Sequence, residues 1–120
     1  MDLVLKGRGV RITDQLRELT QHKLVKLERL EPRAVRVEVE IISEDFPTHD
    51  GTKTVDAALL VPRHTFRAHA NGAKVEDALD LIVARLERQL RDRRGRIRRR
   101  ILAGARLARL RSARMQGITA

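Results

Sequence analysis

The residues of this chain best suited to chemistry are arginines and lysines, and that chemistry is the binding of phosphate. Between Arg85 and Arg114 there are 13 arginines and only two acids, Glu87 and Asp92, a balance of +11. The first 84 residues have 13 Lys or Arg against 14 Asp or Glu, so their formal charge is −1. Because phosphates neutralised by Arg or Lys release condensed counterions, a cationic segment beside a near-neutral one indicates a polyanionic partner.

Four cations lie at spacings that place them on the surfaces of two helices. Lys23 and Lys26 are three residues apart, as are Arg85 and Arg88, so each pair shares one face of its helix. If both helices cover the same side of a sheet, the pairs line one cationic groove, in which Arg offers a planar fork to phosphate and Lys a point charge. The binding set predicted around this groove is completed by Arg8, Arg91, Arg93 and Arg94.

The alternative is that these charges form the solvent-exposed side of amphipathic helices. Glu28 and Glu87 lie among them and would form surface ion pairs of little energetic value. Both interpretations stay open for Lys23 and Lys26, whereas the arginines that follow Arg88 favour RNA contact for the second helix.

Other classes of function have little support in the sequence. The chain has no Cys, and none of its four histidines is paired at the spacing of helical metal ligands: His22, His49, His64 and His69. No Ser/His/Asp set or phosphate-cradling loop stands out, so we expect no enzyme, metal, cofactor or small-molecule substrate. With Phe46 and Phe66 as the only aromatics, bases have no stacking platform, and RNA binding would depend on backbone and shape.

The elements that must position the cations follow from apolar spacing. Thr13 is placed to cap a helix that ends at Glu31, because Pro32 disfavours helical geometry in the preceding residue. Apolar residues recur at helical spacing from Val75 to Leu90, with Leu86 expected deep in the core. Strands are predicted from a short apolar run and from alternation, at 3–6, 35–41, 54–61 and 66–70.

The order β-α-β-β-β-α predicts an α+β fold, in which a four-stranded sheet has two helices packed on one face. Residues 43–52 are expected to form a loop. We expect one domain over residues 1–94 and an arginine-rich extension over 95–120, with Gly95 interrupting the second helix. The extension has three interpretations: it tracks RNA backbone, it lies on a membrane surface, or it folds only on binding. Its few and small apolar residues disfavour the membrane.

Three segments of the chain resemble the ribosome hibernation-promoting factor family, also called protein Y or ribosome-associated inhibitor. They are Gly7–Arg17 (GRGVRITDQLR), Lys23–Arg29 (KLVKLER) and Leu79–Leu90 (LDLIVARLERQL). Each is an ordinary amphipathic pattern, but together they occur in the family's order, spacing and element arrangement. The resemblance covers residues 1–93, and the arginine-rich extension has no counterpart in it.

The resemblance implies a function. Members of that family bind the small ribosomal subunit in the channel for mRNA and tRNA anticodon ends, block translation in starved cells and keep idle ribosomes intact. It also implies that basic residues of both helices contact rRNA. Long members have a second domain that pairs ribosomes, and residues 94–120 are too short and basic to form one.

The composition also predicts the cellular location and oligomeric state of the protein, and it leaves two other functions open. Without a signal peptide or an apolar span, the chain is expected to be cytoplasmic, with no membrane partner, and monomeric when free. One alternative is a general RNA- or DNA-binding module acting mainly through the arginine-rich extension. The other is a protein-interaction module that uses the open face of the sheet.

Overall fold

The structure is a computed structural model that describes residues 1–43 and 52–118, with side chains to residue 113. The elements over these ranges, in chain order, are β1 (Asp2–Arg8), α1 (Asp14–Leu30), β2 (Arg36–Ser43), β3 (Lys53–Val61), β4 (His64–Gly72) and α2 (Val75–Ile118). The chain forms two compact units, which we call the body (Met1–Leu90) and the C-terminal unit (Arg91–Ala120).

The four strands form one sheet in the order β1-β2-β3-β4. β1 runs parallel to β2, and the other two pairings are antiparallel. One cross-strand row joins Leu5, Val39, Ala57 and Ala68. Since successive side chains of a strand point to opposite faces, this row and its equivalents two residues away define the core face of the sheet.

The core of the body lies between that face and both helices. Val37, Val39 and Ile41 of β2 are buried together with Leu24 of α1 and Leu86 of α2. Because both helices share this core, they pack on the same face, as predicted. Leu86 is 0% exposed, which confirms the predicted register of α2.

The two ends of α1 lie close to the positions predicted from the sequence. The Thr13 side-chain oxygen accepts a hydrogen bond from the Leu16 N–H at 3.1 Å, which confirms the predicted N-cap. At the other end the Glu31 N–H donates to the Leu27 carbonyl at 2.9 Å, and the helix stops at Leu30. The loop predicted over 43–52 lies mostly outside the described residues, and Ser43 itself is the last residue of β2.

The C-terminal unit is helical through Ile118. The predicted interruption at Gly95 is wrong, because Gly95 lies inside α2. A single glycine costs a helix about 1 kcal/mol relative to alanine, which the neighbouring arginines, good helix formers, can offset. None of the side chains of residues 91–113 is buried. No described helix has an apolar stretch sufficient to cross a membrane.

Candidate RNA-binding surface

Lys23 of α1 points into the seam between the two helices of the body, where α2 supplies two carboxylates. Its Nζ lies 2.8 Å from Asp80 Oδ1 and 3.7 Å from Glu76 Oε1. The hydrogen bond to Asp80 is the main cause that raises the pKa of Lys23 above its ordinary value of 10.5, although partial desolvation opposes it. Since the folded pKa is the higher one, this stabilisation is complete below pH 10.5 and is lost only as the pH rises through the folded value.

Lys26, one helical turn further on, pairs with Glu87 of α2. Lys26 Nζ lies 3.3 Å from Glu87 Oε2. The two partners differ in exposure, since the Lys26 side chain is 61% exposed and the Glu87 side chain only 12%. The seam forms a depression of about 330 Å³, whose lining includes His22, Val83 and Ala84. Three acids thus face two lysines in the seam, which is not the electropositive groove predicted from sequence.

Arg85 lies on the other side of α2. Its Nη1 donates a hydrogen bond to the backbone carbonyl of His69 in β4. One turn later, Gln89 Nε2 donates to the Arg67 carbonyl at 2.7 Å. At about 100° per residue, Arg85 is about 160° around the helix from Glu87, the residue that Lys26 contacts. The prediction that Arg85 shares one groove with the lysines is therefore wrong.

Arg88 is exposed and has no ion-pair or hydrogen-bond partner among the residues that the structure describes. It follows Glu87 directly and lies about 100° around α2 from it. Lys26 and Arg88 are thus the two exposed members of the predicted groove that do not bind the backbone of the sheet.

Arg8 is placed on the opposite face of the sheet. It pairs in register with Ile42 and forms an ion pair with Glu40, with Arg8 Nη2 at 3.1 Å from Glu40 Oε1. Both residues belong to the face that the helices leave open. The prediction that Arg8 extends the helix surface is therefore wrong. A residue at the end of a strand points to either face according to register, which the preceding glycine did not reveal.

The remaining predicted cations, Arg91, Arg93 and Arg94, belong to the C-terminal unit, and each already takes part in a polar or ionic interaction.

The open face of the sheet carries charges that are largely matched by neighbours. Arg36 Nε lies 3.1 Å from Glu38 Oε1, and His69 Nδ1 contacts Asp56 Oδ1. The first pair lies within β2, whereas the second joins β3 to β4, and a cross-strand contact of this kind stabilises a sheet modestly. No three His, Asp or Glu side chains in the described ranges are grouped to hold a metal ion.

Charge is divided sharply between the two units. The body has 15 basic and 15 acidic residues, so its formal charge is zero. The C-terminal unit has 11 arginines and one acid, Asp92, so it holds the whole net charge of +10. The seam acids Glu76 and Asp80 were the residues that sequence reasoning missed, because acids at a helix start are equally explained by the helix dipole.

The fold and the sequence both match known proteins. Residues 3–98 match the family described as Sigma 54 modulation protein / S30EA ribosomal protein. The chain belongs to this family. The match covers nearly all of the body and ends inside the C-terminal unit, so most of the arginine-rich segment lies outside the matched range.

Two curated relatives of this family are named as ribosome hibernation factors. The ribosome hibernation promotion factor of Deinococcus radiodurans is 32% identical over 87 residues, which are 72% of this chain and 46% of that protein. The ribosome hibernation promoting factor of Escherichia coli is 36% identical over 90 residues, which are 75% of this chain and 90% of that protein. The chain therefore spans less than half of the first relative and most of the second.

Solved structures in the family have the same fold. A ribosomal subunit interface protein from Coxiella burnetii superposes with a TM-score of 0.69 at 27% identity, covering 79% of this chain and 99% of that one. The N-terminal domain of Thermus thermophilus protein Y gives a TM-score of 0.66 at 25% identity, covering 75% and 96%. The family match, the hibernation-factor relatives and these folds agree with the resemblance seen in the sequence.

Proposed function

We propose that this protein binds the small ribosomal subunit in the cytoplasm, in the channel that mRNA and tRNA occupy, and so inhibits translation and stabilises idle ribosomes. Membership of the family over residues 3–98 is the observation that carries the proposal. Inhibition of this kind needs no catalytic step, because a folded domain that occupies the channel excludes mRNA and tRNA by volume. Its requirements are shape and phosphate contact.

Contact of the body with rRNA would use the helix surface around Lys26 and Arg88. Arg88 is free to meet phosphate, since no described residue pairs with it. Lys26 is paired with Glu87, but its own side chain is 61% exposed, so its ammonium can contact a phosphate while it stays beside the carboxylate. Lys23, which two acids hold, would serve mainly to position the seam.

The proposal is tested by co-sedimentation of the full-length protein with purified small subunits over a range of salt concentrations. The variant K26Q/R88Q removes two positive charges from the helix surface. Its matched control, K6Q/R67Q, removes one lysine and one arginine from the open face of the sheet. We expect the first variant to reduce the slope of log K against log salt by up to about 1.8, at about 0.9 for each lost phosphate contact, and the control to leave it unchanged.

Translation in a cell-free extract gives the second readout. Wild-type protein should inhibit it, K6Q/R67Q should inhibit equally, and K26Q/R88Q should inhibit only at higher concentration. A wild-type protein that fails to co-sediment with small subunits at physiological salt would refute the function. Equal losses in the two variants would refute the assignment to the helix surface.

A further inference from the structure

The C-terminal unit has a segment of arginines, most of which lie beyond the range of the family match. Between residues 96 and 111 seven arginines are exposed, and none has an ion-pair or hydrogen-bond partner among the described residues. They are Arg96, Arg98, Arg99, Arg100, Arg106, Arg109 and Arg111. Several of them repel one another, since Arg96 lies three and four residues before Arg99 and Arg100. A bound polyanion would relieve this repulsion.

The arginines are not spread evenly around the helix. At about 100° per residue, a sector of about 140° has no arginine from residue 95 to residue 113. We call this sector the small-residue strip, because only its first two members are large: Ile97, Ile101, Gly104, Ala105, Ala108 and Ser112. Gly104 has open space beside it, because a Cβ there would meet no atom within 4 Å other than those of its chain neighbours and its own helix backbone.

Two rows of arginine border the small-residue strip. Arg98 and Arg109 lie along one side, and Arg100 and Arg111 along the other. In each row the two arginines are 11 residues apart, which is about three helical turns and about 16 Å along the axis. The strip thus has cations at matched heights on both borders, while Arg96, Arg99 and Arg106 project from the back of the helix.

This pattern fits a nucleic-acid groove better than a membrane. A bilayer requires a broad face of large apolar side chains. Here Leu102, Leu107 and Leu110 are exposed, but they lie outside the strip and alternate with arginines around the helix. A groove instead presents two phosphate-lined walls and a shallow floor, which two arginine rows and a strip of small residues match.

We propose that Ile97–Ser112 is a second RNA-binding element, whose small-residue strip lies along the minor groove of double-helical RNA while the two bordering arginine rows bind the phosphates of opposite strands. The choice of RNA rests on the function proposed above. The A-form minor groove is wide and shallow and displays ribose hydroxyls, whereas its major groove is too narrow for side chains to read. Since this segment has no aromatic residue, the contact is to backbone and ribose and is independent of base sequence.

The test compares two full-length triple variants that lose the same charge from the same helix. R98Q/R100Q/R109Q removes bordering arginines, and R96Q/R99Q/R106Q removes those at the back. Glutamine preserves helix propensity, and far-ultraviolet circular dichroism checks that it does. The probe is a fully paired RNA hairpin without ribosomal sequence, with binding measured by fluorescence anisotropy in a potassium chloride series.

We expect the bordering triple to lower the slope of log K against log salt by about 2.7, and the back triple by less than 1. Equal losses in both triples, or no loss in either, would overturn the proposed orientation of the strip. Tighter binding to vesicles of equal parts phosphatidylglycerol and phosphatidylcholine than to the hairpin would overturn RNA as the partner.

The two proposals can fail separately. Hairpin binding that depends on the bordering arginines, in a protein that does not co-sediment with small subunits, would refute the ribosomal function and leave this element standing. Co-sedimentation that depends on Lys26 and Arg88, combined with hairpin binding that neither triple variant changes, would refute this RNA-binding element and leave the ribosomal function standing.

Discussion

In the body, 15 basic residues are balanced by 15 acidic ones, whereas 11 arginines of the C-terminal unit are accompanied by one aspartate. The body also has a continuous core, in which Leu24, Leu59 and Leu86 are almost fully buried. The C-terminal unit buries none of its described side chains. The first unit is therefore stabilised by its own packing, and the second depends on helix propensity and on whatever neutralises its charge.

This division separates two tasks that the proposed binding to the ribosome would require. A neutral, paired surface provides shape with little non-specific attraction for nucleic acid. A strongly cationic helix provides attraction for nucleic acid that falls steeply with salt and does not depend on base sequence. The family match covers the first unit and only the start of the second, so most of the arginine-rich segment lies outside the matched range.

The largest expected difference between the units concerns leucine truncation. Leu86→Ala should destabilise the body by about 2–5 kcal/mol, because it removes a fully buried side chain and leaves a cavity. Leu107→Ala, at a position 56% exposed, should change stability by less than about 0.5 kcal/mol. Urea denaturation measures both. Similar effects of the two substitutions would mean that the C-terminal unit has a core of its own.

Alanine in place of glycine should have opposite signs in the two units. Gly9 has φ of 69°, and an added Cβ would collide with the Ser43 carbonyl oxygen, so Gly9→Ala should cost about 1–3 kcal/mol. Gly104→Ala meets open space in a helix and should stabilise that helix by up to about 1 kcal/mol. Denaturation follows the first change and circular dichroism at elevated temperature follows the second. A loss of helicity in Gly104→Ala would contradict the helical assignment.

The smallest expected effect concerns the seam, where acids offset the lysines. Asp80→Asn removes the main carboxylate partner of Lys23, so the pKa of Lys23 should fall toward its ordinary value, measurable by NMR. Coulomb's law in water gives about 0.7 kcal/mol between unit charges ~6 Å apart, so for a phosphate bound at that distance from Asp80 the substitution should also raise the affinity for RNA about threefold. Asp2→Asn, with the same charge change on β1, should leave the affinity unchanged. An unchanged affinity in Asp80→Asn would mean that phosphate does not approach the seam.

Local rules predicted most of the fold. Alternating Val37, Val39 and Ile41 gave β2 and its buried face, and the Thr13 cap fixed the start of α1. These signals act over a few residues, so they can be read directly from the chain. The predicted helix break at Gly95 was wrong because the cost of one glycine is small compared with the helix propensity of the long run of residues around it.

The candidate site was harder to predict from the sequence than the fold, because it depends on how α1 and α2 are rotated about their axes. Arg85 and Arg88 are three residues apart, yet the first turns to β4 and the second to solvent. The spacing that makes them neighbours does not say which flank of the helix faces α1. Likewise, the residues near Lys23 in the sequence do not predict its ion pair with Asp80, because that contact joins residues far apart in the chain.

The hydrogen bonds from Arg85 and Gln89 to β4 have a consequence for the behaviour of the protein at high concentration. β4 is an outer strand, whose unpaired carbonyls would ordinarily be a template for a strand from another molecule. Because the His69 and Arg67 carbonyls already accept hydrogen bonds from side chains of the same chain, this edge of the sheet offers fewer acceptors to a strand from another molecule. Edge-to-edge association of sheets from different molecules is thus disfavoured at β4.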